Sequence, residues 1–474
     1  MSAPDPTEKH LLKRDLGFFD LTLFYIAGGL SLRWIATAAA AGPSTLPIWI
    51  FACLFFFVPL AASVLELSSR YPQEGGLYVW TQRAFGDFSG FLVAWTYWMC
   101  NLPFFPSILY FGAGSLLFAF PHGEHLASNR TYYLAFALIC LGLITLLNML
   151  GLKFGKWINS LGALGSWLPI MILLALAGLS FLRHGPATQL TAASLVPHPS
   201  LQNAIFWSTI FFAFGGCESG SFMGEEIRNA RRTIPRALIV SGIVLAVSYM
   251  AGTLALLVAL PGASINGVSG FASALQRMSL QLGLPGVVTL VALLIALSSI
   301  GGAASFLSST SRLPFVAGID HYLPKFFGKV HARWGTPWVA ILLYGLAGML
   351  YALLSQAGSS VQEAYNLLVS MSIITYFIPF VFLFLAMIRL QREPAPPGTI
   401  RLPGGKPVAI ALATIGLLTT LLTIALALFP PADEPHKAMA VAKVLGSTLL
   451  LIGTGAVIFW RGRFRKQLVI SAGG

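Results

Sequence analysis

The chain has 474 residues, 56% of them apolar and only 9% charged, with a mean hydropathy of +0.79. Soluble domains carry roughly 25% charged residues, so a water-soluble fold of this length is excluded. The net charge of +13 does not point to nucleic acid, because the charges fall in short loops between apolar stretches, where basic residues report topology.

A membrane span needs about 20 apolar residues. After a polar tail (1–17), the sequence predicts spans near 18–41, 46–69, 87–119, 131–150, 156–182, 203–223, 236–260, 286–311, 336–355, 361–389, 406–429 and 437–460. The third is too long for one straight crossing, so it is expected to tilt or to run beyond the bilayer. A brief surface helix is expected between Phe271 and Leu282, and Pro394 to Gly398 reads as a linker. The four cysteines, Cys53, Cys100, Cys140 and Cys217, lie inside apolar segments without metal-ligand spacing. No metal site is expected from them.

The basic residues orient the chain. With the N-terminus inside, 23 of the 29 Lys and Arg residues fall on inner segments. They are Lys9, Lys13 and Arg14; Arg70 and Arg83; Lys153 and Lys156; four arginines in 228–236; and four basic residues in each of 312–333, 389–406 and 461–466. This asymmetry fits an even number of spans with both termini, including the tail 461–474, in the cytoplasm. A multi-pass protein of the cell membrane is expected.

Two spans carry a double glycine near their middle: Ile26-Ala27-Gly28-Gly29-Leu30-Ser31 in span 1 and Phe212-Ala213-Phe214-Gly215-Gly216-Cys217-Glu218 in span 6. They occupy the same place in two sets of five spans. Paired discontinuous helices at matching positions are the pattern of an inverted-repeat transporter with its site at the midplane. Backbone freed there cannot be left bare to lipid. The amides of Gly28 to Ser31 suit a carboxylate, and the carbonyls from Phe212 to Gly215 suit an ammonium. An α-amino acid satisfies both. Glycine pairs also serve close helix packing; the matched placement, with an acid after the second pair, favours the site.

A charge inside the bilayer is costly. Glu218 is therefore the proton-coupling candidate, with a structural role holding unwound backbone as the alternative. Arg33 lines the outer vestibule or contacts substrate, or instead pairs with Glu218 or snorkels outward. Asp20, Glu66 and Glu363 lie at span ends, where solvated or capping roles are expected. The eight histidines are scattered, and no catalytic constellation appears, so enzyme activity is not expected.

Three ordered motifs carry a family resemblance. They are Ser69-Arg70-Tyr71-Pro72-Gln73-Glu74-Gly75-Gly76-Leu77-Tyr78-Val79-Trp80 with Arg83-Ala84-Phe85-Gly86; Phe214 to Glu218 followed by Gly224-Glu225-Glu226-Ile227-Arg228-Asn229 through Ala237; and Ser311-Arg312 through Asp320 to Pro324, with Gly335-Thr336-Pro337. They resemble the amino acid–polyamine–organocation (APC) superfamily, as amino acid permeases of bacterial type; the double glycine of span 1 is also similar to that of plant polyamine transporters. The resemblance implies an all-α membrane protein of about 12 transmembrane helices. Its 5+5 inverted-repeat core would comprise residues 18–182 and 203–389, with helices 1 and 6 broken and two peripheral helices over 406–460. It implies secondary transport of an amino acid, or alternatively a polyamine, without a cofactor beyond a coupled H+ or Na+. A monomer or a homodimer is implied.

Carried over by position, the substrate contacts are Ala27, Gly28, Gly29, Leu30, Ser31, Asn101, Phe212, Ala213, Phe214 and Gly215, with Phe212 as the gate and Glu218 as the proton-linked acid. Asn101 has an interhelical hydrogen bond as its competing role. Ser166 stands where several relatives place a lysine whose ammonium replaces sodium, so Ser166 and Ser305 are cation-site candidates and the coupling ion stays open. Glu225 or Glu226 is expected to pair with Arg312 at an inner gate.

Overall fold

The computed structural model describes residues 12, 14–197, 207, 210–260, 270–319, 322–355, 361–427 and 437–472. The described residues are mostly helical, with one isolated bridge between Leu16 and Ile227 and no strand among them. A chain in lipid must satisfy its backbone within each segment, and helices do so. Among the described residues, eight helices are long and apolar enough to cross a membrane: Phe18–Ala40, Thr45–Arg70, Asp87–Ala119, Arg130–Met149, Gly155–His184, Ala230–Ala259, Gly286–Ala317 and Gly405–Leu426. Trp338–Ser355, Val361–Leu390 and Lys437–Ala472 supply spans 9, 10 and 12, and residues 210–226 the described part of span 6. The outward faces are apolar, with Ile139, Leu182, Ile243 and Leu450 exposed, while Arg33 and Glu218 are buried. Such an apolar exterior over a partly polar interior suits a lipid environment.

The packing repeats with a shift of five spans. Span 5 lies on span 8, and span 10 on span 3; span 1 lies on span 5, and Gly215 of span 6 meets Tyr376 of span 10; span 4 touches span 8, and span 9 touches span 3. Spans 11 and 12 pack outside this core, against spans 2, 3 and 10. The all-α, about twelve-span fold with broken helices 1 and 6 is thus established.

Two spans differ locally from the sequence expectation. Span 3 is neither straight nor merely tilted: Asp87–Cys100 ends at a turn, and a second helix runs Phe104–Leu116. Pro103 and Pro106 lack the N–H groups that would continue the ladder. The Asn101 side chain donates to Tyr97 O (2.8 Å), so its bond serves its own helix rather than a neighbouring one. Span 2 contains a π-helical turn, Cys53–Phe57, just before Pro59. The helix Gly270–Gln281 lies where a surface helix was expected, with Phe271, Leu275 and Met278 buried.

The N-terminal segment and the loops after spans 2, 6 and 10 converge on one end of the bundle. Leu16 N–H donates to Glu226 O (3.2 Å), Arg228 N–H to Leu16 O (2.9 Å) and Gly75 N–H to Phe222 O (2.9 Å). Arg70 Nη1 donates to Leu390 O (2.9 Å) and Arg231 Nη1 to Pro397 O (3.0 Å). These segments carry much of the basic charge, and this end is called the basic face below.

Glu66 corrects the expectation of a solvated or capping role. Only 2% exposed, it accepts from Arg70 Nε (3.0 Å) and Nη2 (2.7 Å), Gln391 Nε2 (2.6 Å) and the Leu402 N–H (3.3 Å). It ties span 2 to the linker between spans 10 and 11. Asp20 does cap: Gly17 N–H donates to its Oδ2 (3.0 Å), and Lys156 lies 3.5 Å from Oδ1. The tail before residue 12, most of 203–209, Asp320 and the side chain of Glu363 lie outside the described residues.

Candidate functional site

Span 1 is helical over Phe18–Gly29 and again over Leu32–Ala40. The interruption falls one step later than the glycines: Leu30 (φ −87°, ψ 98°) and Ser31 (φ −110°, ψ 116°) are extended, while Gly28 and Gly29 remain helical. The glycines instead permit close approach. A Cβ on Gly29 would lie 2.5 Å from Leu245 Cδ2, and one on Gly28 would lie 3.5 Å from Ser305 Cβ. The second half-helix therefore starts at Leu32, and the amides of Leu32 and Arg33 open its first turn.

Span 6 stays helical to Ala213, turns through 214–218 and continues as a 3-10 helix, Ser219–Glu226. Gly216 has φ +102°, a conformation open to glycine and strained for L side chains. A Cβ there would meet Phe306 Cζ at 3.2 Å and Gly29 Cα at 3.9 Å. The two double glycines, 187 positions apart in sequence, face each other at the centre of the fold.

A small cavity of about 20 Å³ lies at this junction, lined from span 1 by Gly28, Gly29, Ser31 and Trp34, and from span 6 by Phe212, Ala213 and Gly215. It has room for about one water. Asn101, Cys100, Phe104, Phe306 and Tyr376 complete the lining. Of the residues singled out from sequence, Ala27, Leu30 and Phe214 do not reach the cavity. Phe214 turns away, onto Trp49 (5.5 Å) and Phe57 (5.1 Å). Phe212 sits edge-on to Trp34 (5.5 Å) and Tyr376 (4.9 Å). Phe212 and Trp34 belong to the half-helices leading to the face opposite the basic one, so this aromatic cluster lines the cavity on that side.

The Glu218 carboxylate is wholly buried. Tyr97 and Tyr376 both donate to Oε1, the latter at 2.8 Å, and the Gly216 N–H donates to Oε2 (3.2 Å). Glu218 thus joins spans 3, 6 and 10 at the break. The Arg33–Glu218 pair considered from sequence is absent. Arg33, 1% exposed, donates to Ser107 Oγ (3.2 Å), with its guanidinium 4.3 Å from the Trp34 ring centroid and 5.3 Å from that of Phe104. It neither snorkels outward nor meets Glu218, and it lies behind two rings of the cavity wall.

The two serine candidates do not meet. Ser166 Oγ lies 2.6 Å from Ser298 Oγ, whereas Ser305 Oγ donates to Asn159 Oδ1 (3.0 Å). Between these pairs Gly162 and Gly301 touch backbone to backbone. Ser298 and Ser305 are seven residues apart on one helix, about 10 Å along its axis. Among the described residues, Ser166 and Ser305 therefore do not form a common cation site.

On the basic face, Arg312 and Glu226, each 1% exposed, form a two-bond ion pair (Nε–Oε1 2.6 Å, Nη2–Oε2 3.0 Å). The pairing expected of Glu225 or Glu226 falls to Glu226. Glu74 is buried beside them: its Oε2 accepts from the Glu225 N–H (3.0 Å), and its Oε1 has no hydrogen-bond partner. Burial pushes the Glu74 carboxyl well above its ordinary range, and the Glu226 charge adds to this, against the pull of Arg312. Together with the Leu16–Glu226 and Gly75–Phe222 bonds, this cluster joins the N-terminal segment to the segments after spans 2, 6 and 8 on the basic face.

The residues sequence reasoning missed are mostly aromatic. Tyr97 stands one turn before Asn101 and was recoverable from that spacing, whereas Phe104 begins the next helix beyond the turn. Tyr249, Phe306 and Tyr376 come from distant spans and carry no local signal.

The model of a family described as amino acid permease matches residues 16–453. An uncharacterised transporter of Legionella pneumophila is 30% identical over 431 residues, 90% of this chain and 92% of the relative. A Lactococcus lactis protein described as a probable agmatine/putrescine antiporter is 29% identical over 455 residues, 95% of each chain. A glutamate/serine transporter of Bacillus subtilis is 26% identical over 381 residues, 77% of this chain and 70% of the relative.

Proposed function

This chain belongs to the amino acid permease family, and from that premise we propose that it is a secondary transporter working by alternating access, with an amino acid bound between the breaks of spans 1 and 6. One observation carries the reading: two broken half-helices and their glycine pairs converge on one small central cavity. The first amides of the half-helix at Leu32 and Arg33 receive the carboxylate, and the carbonyl end of the span 6 half-helix at Phe212 to Gly215 receives the ammonium. A cavity this small opens by movement of Phe212, Trp34 and Tyr376 before substrate enters.

The relative described as an agmatine/putrescine antiporter favours a polyamine as the second reading. A diamine asks for an anionic partner at each end. Among the described residues, no carboxylate lines the cavity; Glu218, behind the lining residue Tyr376, is already bonded by two phenols and an amide, and Arg33 stands behind the wall. These features support a neutral or acidic amino acid. Because the candidate serines stand apart, we assign coupling to a proton at Glu218 rather than to sodium. The basic face is assigned to the cytoplasm, from the distribution of Lys and Arg.

The test is ligand-dependent thermal stabilisation of the purified protein across a panel of amino acids and amines, followed by uptake into proteoliposomes. A ligand at 100 times its Kd stabilises by about 2.7 kcal/mol. If putrescine or agmatine outcompetes every amino acid, the substrate assignment is wrong.

A further inference from the structure

One side chain touches both breaks. Tyr249 lies in the helix Ala230–Ala259 (span 7) and is fully buried. Its hydroxyl accepts from the Ser31 N–H (3.1 Å), lies 2.6 Å from Gly29 O and 3.2 Å from Ala213 O, and can donate to either carbonyl. Gly29 ends the first half-helix of span 1, Ser31 precedes the second, and Ala213 stands in the last turn of the first half-helix of span 6. A phenol has one proton, so at any moment it donates to one of the two carbonyls while accepting from Ser31. The shared hydroxyl fixes the spacing of all three backbone groups.

The ring is itself held. It stacks on Trp49 of span 2 (4.7 Å, 9°) and meets Phe214 edge-on (5.7 Å). Trp49 Nε1 donates to Thr253 Oγ1 (3.0 Å), one turn beyond Tyr249 on the same helix. One turn before it, Leu245 fills the space beside Gly29. One face of span 7 therefore presents Leu245, Tyr249 and Gly252 to span 1, at the spacing a helix face requires. Tyr249 does not line the cavity, so it acts through the backbone it holds.

We propose that Tyr249 is a positioning residue that sets the separation between the carboxylate-binding and ammonium-binding ends of the site, so that one amino acid can engage both. This rests on the functional reading above. Its signature is selective. A ligand bridging both breaks depends on their separation, whereas a ligand with only a carboxylate or only an amine engages one break and does not.

The experiment measures Kd by thermal shift for the best amino acid and for its deaminated and decarboxylated analogues. It compares the parent, Tyr249→Phe and Tyr344→Phe, the last removing a buried phenol-to-carbonyl bond (Tyr344 Oη to Trp98 O, 2.8 Å) that touches neither break. Tyr249→Phe is expected to weaken the amino acid about tenfold or more, the scale of one to two lost hydrogen bonds, and to leave the one-ended analogues within about twofold. Tyr344→Phe is expected to leave all three unchanged. An equal loss for all three ligands with Tyr249→Phe, an equal loss with Tyr344→Phe, or no loss at all overturns the proposal. If Tyr249→Phe does not reach the membrane, Thr253→Val takes its place. It keeps the phenol but releases the Trp49 indole that braces it, and should give a smaller loss with the same selectivity; equal or absent losses again overturn the proposal. A parent that binds no amino acid would instead refute the functional reading, before any variant is compared.

Discussion

Breaking the Glu226–Arg312 pair should open the site toward the basic face. Both groups are 1% exposed and joined by two short bonds. Removing one partner of a buried pair costs about 3–5 kcal/mol, because the remaining charge is left uncompensated. In an open conformation Arg312 is hydrated and the penalty disappears. Glu226→Ala is therefore expected to shift the closed-to-open equilibrium by roughly two to three and a half decades, at about 1.4 kcal/mol per decade. The nearby Glu74 carboxyl can offset part of this by ionising. The reporter is built in: Cys100 lines the cavity and is 2% exposed. In a background with Cys53, Cys140 and Cys217 replaced by Ala, the labelling rate of Cys100 by an impermeant thiol reagent applied from the basic face should rise steeply in Glu226→Ala. The double variant Glu226→Leu/Arg312→Leu removes both charges and should return most of the way toward the parent, since apolar replacement of a whole buried pair is close to neutral. Labelling unchanged in the single variant, or equally fast in the double, would refute the assignment of this pair as the gate.

Gly29→Leu should abolish uptake while the protein still inserts, because even a Cβ lies 2.5 Å from Leu245 Cδ2; adding Leu245→Ala should restore part of the activity, and full uptake by the single variant would remove the break from the site. Glu218→Gln should flatten the pH profile of uptake, and an unchanged profile would leave Glu218 as a carboxylate that only holds backbone. Glu74 faces Glu225, Glu226 and Arg312, and its folded pKa is raised. The closed gate is therefore fully stable below the ordinary carboxyl pKa and loses stability as pH on the basic side rises through the raised value; Glu74→Gln should make Cys100 labelling from that side independent of pH. Arg70→Ala should cost about 3–5 kcal/mol, since it strands the buried Glu66. Arg83→Ala at the exposed Arg83–Glu393 pair should cost under about 1 kcal/mol; comparable unfolding shifts for the two would contradict the burial argument. Burial pushes the Glu393 carboxyl up, but bonds from Arg83 and Tyr71 outweigh it and hold it below its ordinary range. The small contribution of that pair is present above the ordinary carboxyl pKa and fades as pH falls through the lowered one.

What the sequence determined by itself was set by the bilayer. Lipid excludes bare backbone and most charge, so spans, breaks and intramembrane acids leave local marks: the apolar runs, the matched Gly28-Gly29 and Gly215-Gly216 pairs, and Glu218 after the second. The acids and arginines of the loops after spans 6 and 8 suggested Glu225 or Glu226 as the Arg312 partner, and only the structure chose Glu226 and showed the pair buried. What only the tertiary structure decided were relations between distant segments. Leu30 and Ser31, not the glycines, carry the extended backbone of span 1, because the glycines are needed for close packing against Leu245 and span 8. Ser166 and Ser305 share a helix pair but stand about two turns apart, since a direct Gly162–Gly301 contact separates them. Glu66 is buried although it ends a span, because Gln391 and the Leu402 amide fold back over it. The backbone groups freed at the breaks do not all wait for a substrate, since the hydroxyl of Tyr249 already accepts from the Ser31 amide and donates to one of the Gly29 and Ala213 carbonyls. A tyrosine in an apolar span looks like any other in sequence; its role depends on three carbonyl and amide groups that only the folded chain brings within reach of one oxygen.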